Sequence, residues 1–365
     1  MLYQSYQPAL SQLFIGQKKK MKQMAKAMDN MKVRDKIQKQ AQYQPEAVLP
    51  KEQNLFWNSL RKSIVKEIDA SSLAIDWGNM KRFDEWRSTR KSDQKYRGEE
   101  AQQTIEQHKR HFLQTREERE APGFTTKDIA LDQAFSTTIP HLRFMGPQKI
   151  STPQQRGTVV HQGTPQQNSM MIARALRLMG AAYTGFVELY DETTRKLIYG
   201  KEVKGGKSIL FEDVDIGFET ESSLVIPNAA KWVIVYCIPM SNAGLSQAPT
   251  RLSRATTMQA YTRLFTIYNQ LHEFIRGLGY HSYGATIMNG FGIYPAFAVL
   301  GGLGELSRMD VVITPEYGPM VRLAAMATDL PLAATPPISF GVEEYCENCR
   351  ICTDACIGIK SKLGT

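Results

Sequence analysis

Residues 231–240, KWVIVYCIPM, form an unbroken β-branched and aromatic run closed by a proline. That texture predicts a strand. Even extended back to Ala229, the run falls well short of the ~20 residues that would span a bilayer. Cys237, in its middle, reads as a buried small hydrophobe rather than a ligand. Three further stretches share the texture: YTGFVELY (183–190), KLIYG (196–200) and SILFEDV (208–214). A helix is expected on each side of this group. NSMMIARALRLMGA (168–181) is amphipathic. MQAYTRLFTIYNQLHEFIRGLGY (258–280) places Tyr261, Leu264, Phe265, Tyr268, Leu271 and Phe274 or Ile275 on one face, with Gly277 and Gly279 to end it. YPAFAVLGGLGELSR (294–308) reads as a third helix whose small residues admit a close backbone or a flat ligand. Helices alternating with strands point to a layered α/β or α+β core.

Outward from that core the chain becomes polar. Residues 1–50 read as a basic arm and residues 51–165 as a helical and loop region. The latter holds an expected helix at QNLFWNSLRKSIVKEI (53–68), an exposed charged helix at 99–120, a Pro-Gly break near 121–128, and a long loop over 136–166. The net charge is +9, and nine basic residues between 18 and 39 face only Asp29 and Asp35. Met21, Met24, Met28 and Met31 recur there at helical spacing, so the arm reads as a basic amphipathic helix. An anionic membrane surface, nucleic acid, or the protein's own body are the partners open to it. No ribonucleoprotein or zinc-finger spacing accompanies it, and a nucleic-acid partner is not expected. No secretory signal pattern opens the chain, which reads as soluble.

Four of the five cysteines stand within the last twenty residues, as Cys346, Cys349, Cys352 and Cys356 in C-x2-C-x2-C-x3-C. This run holds iron–sulfur clusters in bacterial ferredoxins: three thiolates reach one cubane, and the fourth ligates a second. A zinc site more often uses two separated pairs, and disulfides between cysteines this crowded are strained.

The stretch from Gly301 to Cys356 resembles the reductive dehalogenases, corrinoid and iron–sulfur enzymes of anaerobic organohalide respiration. The resemblance rests on GLGE with Arg308, ITPEYG (313–318), Arg322, TDLPL (328–332) and the cysteine run, and extends more weakly to about residue 165. It implies a nitroreductase-like core over 166–340 that binds base-off cobalamin. It further implies a ferredoxin-like domain beginning at 341–365, which in the family carries two [4Fe–4S] clusters. The implied reaction replaces carbon–halogen by carbon–hydrogen in an organohalide substrate. A tyrosine acts as proton donor, a cation stabilises the phenolate left behind, and an amide orients the substrate. Tyr261, Arg322 and Asn289 match those roles, although Tyr268 lies on nearly the same helix face. His161, Tyr283, Gly290 and Gly292 are the candidates for the corrin pocket. His281 joins them, and a structural histidine is the competing reading for both imidazoles. A small membrane-anchor subunit, an external electron donor and a place on the outer face of the cytoplasmic membrane are likewise implied.

The chain departs from the family in three ways. Ile357 follows Cys356 where ferredoxins have proline, no later cysteine supplies the second cluster, and no twin-arginine signal is visible. A reading frame cut short partway through a two-cluster domain is the expectation, and such a chain would not assemble both clusters. Two other functions compete. One is an epoxyqueuosine reductase-like enzyme acting on transfer RNA, where an aspartate would replace the tyrosine. The other is a non-catalytic electron carrier.

Overall fold

A computed structural model describes residues 65–82, 98–202, 207–349 and 351–354. The basic arm, the 53–64 part of the first expected helix and Cys356 lie outside them. Two compact units emerge. Of the described residues, the larger takes those within 67–306 and 310–340, and the smaller takes 65–66, 307–309 and those within 341–354.

In the larger unit, α1 (Glu99–Glu118) has no buried residue, as its charge density predicts. The α2 helix (Thr126–Thr137) begins in a capping box between Thr125 and Asp128. The same device, Thr164 with Gln167, starts α3 (Pro165–Met179), which Gly180 ends at φ 105°. Strand β1 (Tyr183–Glu188) follows, then β2 (Ser208–Glu212), β3 (Phe218–Glu219), β4 (Ser223–Pro227) and β5 (Trp232–Pro239). The long helix α4 (Arg251–Leu278) follows the Thr250 cap, so that its first residue lies seven before the expected Met258, and it ends at Gly279 (φ 96°). Strand β6 (Ser282–Tyr283), helix α5 (Tyr294–Leu300) and strand β7 (Val321–Thr328) complete the frame.

The central sheet runs β1-β5-β7-β6, and every pairing in it is antiparallel. Its middle strand is the run that opened the sequence reading: Val233 to Ile238, Cys237 included, are all fully buried. Alternation divides that strand between two cores. Val233, Val235 and Cys237 face α5 and the small sheet β2-β4-β3. Ile234, Tyr236 and Ile238 face α3 and α4. Two covered faces explain why the run has no polar alternation. The apolar face predicted for α4 is the face it buries, and each fully buried Leu, Ile or Phe side chain contributes about 1.5–3 kcal/mol of transfer free energy. The Tyr236 hydroxyl then donates to the Leu264 carbonyl at 2.9 Å, tying strand to helix.

Three expectations are corrected. The described end of the first expected helix is not helical: Lys66–Glu67 is a two-residue strand. KLIYG is not a strand: Thr194–Leu197 forms a single 3-10 turn. The Arg82 guanidinium takes the carbonyls of Ile198, Tyr199 and Ile209 at 3.2, 2.6 and 2.8 Å, the work a ladder would otherwise do. The third helix stops at Leu300 instead of running to 308. A Cβ on Gly185 would lie 2.1 Å from the Gly301 carbonyl oxygen, and one on Gly302 (φ 72°) would lie 2.3 Å from that of Pro336. Backbone, not a flat ligand, occupies the room the glycines leave.

The described part of the smaller unit is short. Helix α6 (Val342–Cys349) is followed by a helical turn over Ile351–Asp354. Arg308 Nε donates to the Cys346 carbonyl at 3.2 Å.

Candidate functional site

Tyr261 lies on α4 and Arg322 is the second residue of β7, paired in register with Ile238 of β5. Strand alternation puts Arg322 on the same sheet face as Ala324 and Met326, the face α4 covers. The guanidinium carbon accordingly stands 4.9 Å from the centre of the Tyr261 ring. Phe265, one turn along the helix, flanks that ring at 5.7 Å. Residues sixty-one positions apart in sequence therefore meet as a buried phenol beside a cation.

Tyr268 does different work. Its hydroxyl accepts the Ala285 N–H at 2.7 Å, and full burial pushes its pKa far up. A Cβ on Gly284 would sit 1.5 Å from that hydroxyl. The two tyrosines thus differ in surroundings: Tyr268 is bonded to backbone, and Tyr261 stands beside the guanidinium.

Asn289 is exposed and left-handed (φ 59°), at a turn closed by the Gly290 N–H to the Ile287 carbonyl at 3.1 Å. The other sequence candidates have partners within the protein. His161 Nε2 is 2.9 Å from Asn168 Oδ1. His281 is held by Asp329 through its backbone N–H (2.7 Å) and Nδ1 (2.9 Å). The buried Tyr283 hydroxyl accepts the Gly217 N–H at 3.0 Å, and burial raises its pKa to about 12. A Cβ on Gly290 would lie 2.5 Å from Ile287 Cγ1, and one on Gly292 would lie 2.7 Å from the Leu197 carbonyl oxygen. These five positions are each packed against the protein's own atoms.

ITPEYG forms a tight turn in which Thr314 and Gly318 exchange backbone hydrogen bonds at 2.9 Å. It offers Glu316 to the Tyr183 hydroxyl at 3.2 Å and sets Tyr317 edge-on to Tyr183 at 5.9 Å. Burial first, then Glu316, lifts Tyr317 to about 12. Sequence reasoning missed this cluster, because its members are 133 residues apart.

In the smaller unit Cys346, Cys349 and Cys352 are half-buried free thiols. Tyr345 is raised to about 12 by burial and by its hydrogen bond to Cys349. Soft thiolates at this spacing suit iron–sulfur chemistry. Among the described residues, no three His, Cys, Asp or Glu side chains gather around a common point.

Against known proteins, the family model "Reductive dehalogenase subunit" matches residues 60–332, a span that includes Tyr261, Asn289 and Arg322. Tetrachloroethene reductive dehalogenase of Sulfurospirillum multivorans is 44% identical over 156 residues, 43% of this chain and 30% of that protein. Two solved structures share the fold. A catabolic reductive dehalogenase in complex with 3-bromo-4-hydroxybenzoic acid has a TM-score of 0.52 at 20% identity, covering 81% of this chain and 37% of that one. The structure titled as suggesting a mechanism for B12-dependent dehalogenation has a TM-score of 0.51 at 18% identity, over 83% and 40%. The chain thus spans about a third of the length of these relatives. With three quarters of its residues under the family model, the chain belongs to the reductive dehalogenase subunit family.

Proposed function

We propose that this chain carries the catalytic core of a reductive dehalogenase, which turns R–X, two electrons and a proton into R–H and halide. The observation that carries this reading is the Arg322 guanidinium 4.9 Å from the centre of the Tyr261 ring. The electron chemistry would come from base-off cobalamin, held in a nitroreductase-like core over 166–340. Tyr261 Oη gives its proton to the carbon that loses halide. Arg322 compensates the negative charge left on that oxygen, and solvent then returns the proton. The Asn289 amide orients the organohalide. His161, Tyr283, Gly290 and Gly292 would line the pocket that holds the corrin. Cys346, Cys349 and Cys352, with Cys356, would hold [4Fe–4S] iron in the ferredoxin-like domain that begins at 341. An external donor supplies the electrons. A small membrane-anchor subunit places the protein on the outer face of the cytoplasmic membrane; no helix among the described residues is itself long and apolar enough to cross one.

The name of the Sulfurospirillum relative makes tetrachloroethene the first substrate to try. Full-length protein, purified without oxygen and reconstituted with cobalamin, is expected to show corrin and iron–sulfide absorbance and to release chloride with reduced methyl viologen. Colourless protein that releases no chloride would refute the reading.

A further inference from the structure

The turn that presents Asn289 is tied down at both ends. On its far side, Tyr199 N–H donates to the Phe291 carbonyl at 3.0 Å and Ile293 N–H to the Leu197 carbonyl at 2.9 Å. On its near side a carboxylate does the work. Glu202, only 1% exposed, accepts on one oxygen both the Thr286 hydroxyl at 2.7 Å and the Thr286 N–H at 3.3 Å. Burying a carboxylate costs free energy that an ordinary structural contact would not demand. A backbone carbonyl or an amide would satisfy one N–H equally well. The acceptor is also remote, 84 residues from Thr286.

We infer that Glu202 is a positioning residue: by clamping Thr286 it fixes the 286–290 turn and so the direction in which Asn289 meets the substrate. The inference rests on the substrate-orienting role given to Asn289 above. Glu202 itself touches neither substrate nor reacting atoms. Its effect therefore belongs in substrate affinity and disappears when Asn289 is gone.

The test uses full-length holoenzyme, with steady-state chloride release from tetrachloroethene and hydrogen exchange of backbone amides. Glu202→Ala is expected to raise KM about tenfold with a smaller change in kcat, the size of one lost buried hydrogen-bond partner. It should speed exchange at 286–290 while leaving α3 and α4 protected. Glu202→Gln, which keeps the accepting Oε1, should stay within about twofold of the parent. The Glu202→Ala/Asn289→Ala double variant should be no worse in KM than Asn289→Ala alone, since a residue acting through another is non-additive with it. Should Glu202→Ala fail to fold, Thr286→Val removes the shorter of the two bonds and should raise KM severalfold. Unchanged exchange, unchanged KM or strict additivity in the double variant would overturn the inference. Should Asn289→Ala alone leave KM unaltered, the role of Asn289 fails, and Glu202 is then a clamp on the fold with no part in substrate binding.

Discussion

At the residue scale, the α4 face shows how one side chain type serves two ends. Tyr261 and Tyr268 are two turns apart and both buried, yet one faces a cation and the other bonds a backbone N–H. Gly284→Ala should disturb only the second, by driving a methyl into the Tyr268 hydroxyl. Overpacking of this kind costs about 1–3 kcal/mol, and chemical denaturation should register it; unaltered stability would mean the contact relaxes freely. His272 gives a pH signature. Desolvation holds its pKa down at about 3, with Nδ1 2.7 Å from Ser282 Oγ and the ring 4.8 Å from that of Tyr268. The unfolded chain takes up this proton near pH 6.5, whereas the folded protein stays neutral until about 3. Stability is therefore full above pH 6.5 and falls as pH drops through that window, with a slope approaching one proton. Urea titrations of the parent and of His272→Gln between pH 7 and 4 check this, and a parent no more acid-sensitive than the variant would contradict it.

At the element scale, caps and glycines set boundaries that the periodicity of the sequence leaves loose. Gly279→Ala must hold φ 96° and bring its Cβ within 2.9 Å of Val160 Cγ1. It should cost at least about 1–2 kcal/mol, visible as a lower Tm. What the sequence revealed at this scale followed burial. Strands β1 and β5 and helices α3 and α4 each bury a strong apolar pattern, so periodicity found them; β2, which buries only Ile209, was found by its apolar texture. Strand β7, VRLAAMAT, went unnoticed although it is central, because alanine has little strand preference and its place is set by pairing with β5. Helix α2 hid behind the Pro-Gly break. The over-long third helix failed because propensity says nothing of Gly301–Gly304 being needed for contact with Gly185 and Pro336. Of the candidate site, the types and positions of Tyr261 and Arg322 were legible through resemblance. Their pairing too was expected only through resemblance, since the contact depends on which face of β7 lies under α4, and nothing in the local sequence shows that. The Glu202–Thr286 bond left no trace in the sequence at all.

At the scale of the whole molecule, the larger unit carries the phenol–guanidinium pair and the smaller unit carries the cysteines. The cysteines should govern iron and the core should govern proton delivery. Cys349→Ser is accordingly expected to lower bound iron while leaving the thermal unfolding of the core nearly in place; iron content equal to the parent would contradict its ligand role. Tyr261, and not its neighbour two turns on, is the proposed proton donor. The direct measurement is single-turnover chloride release from tetrachloroethene by reduced, full-length Tyr261→Phe beside Tyr268→Phe. General-acid loss is worth about 10²–10⁴ in rate, so Tyr261→Phe should be slower than the parent by at least about a hundredfold, while Tyr268→Phe loses stability but stays within severalfold. Equal rates for the parent and Tyr261→Phe would rule out Tyr261 as the donor.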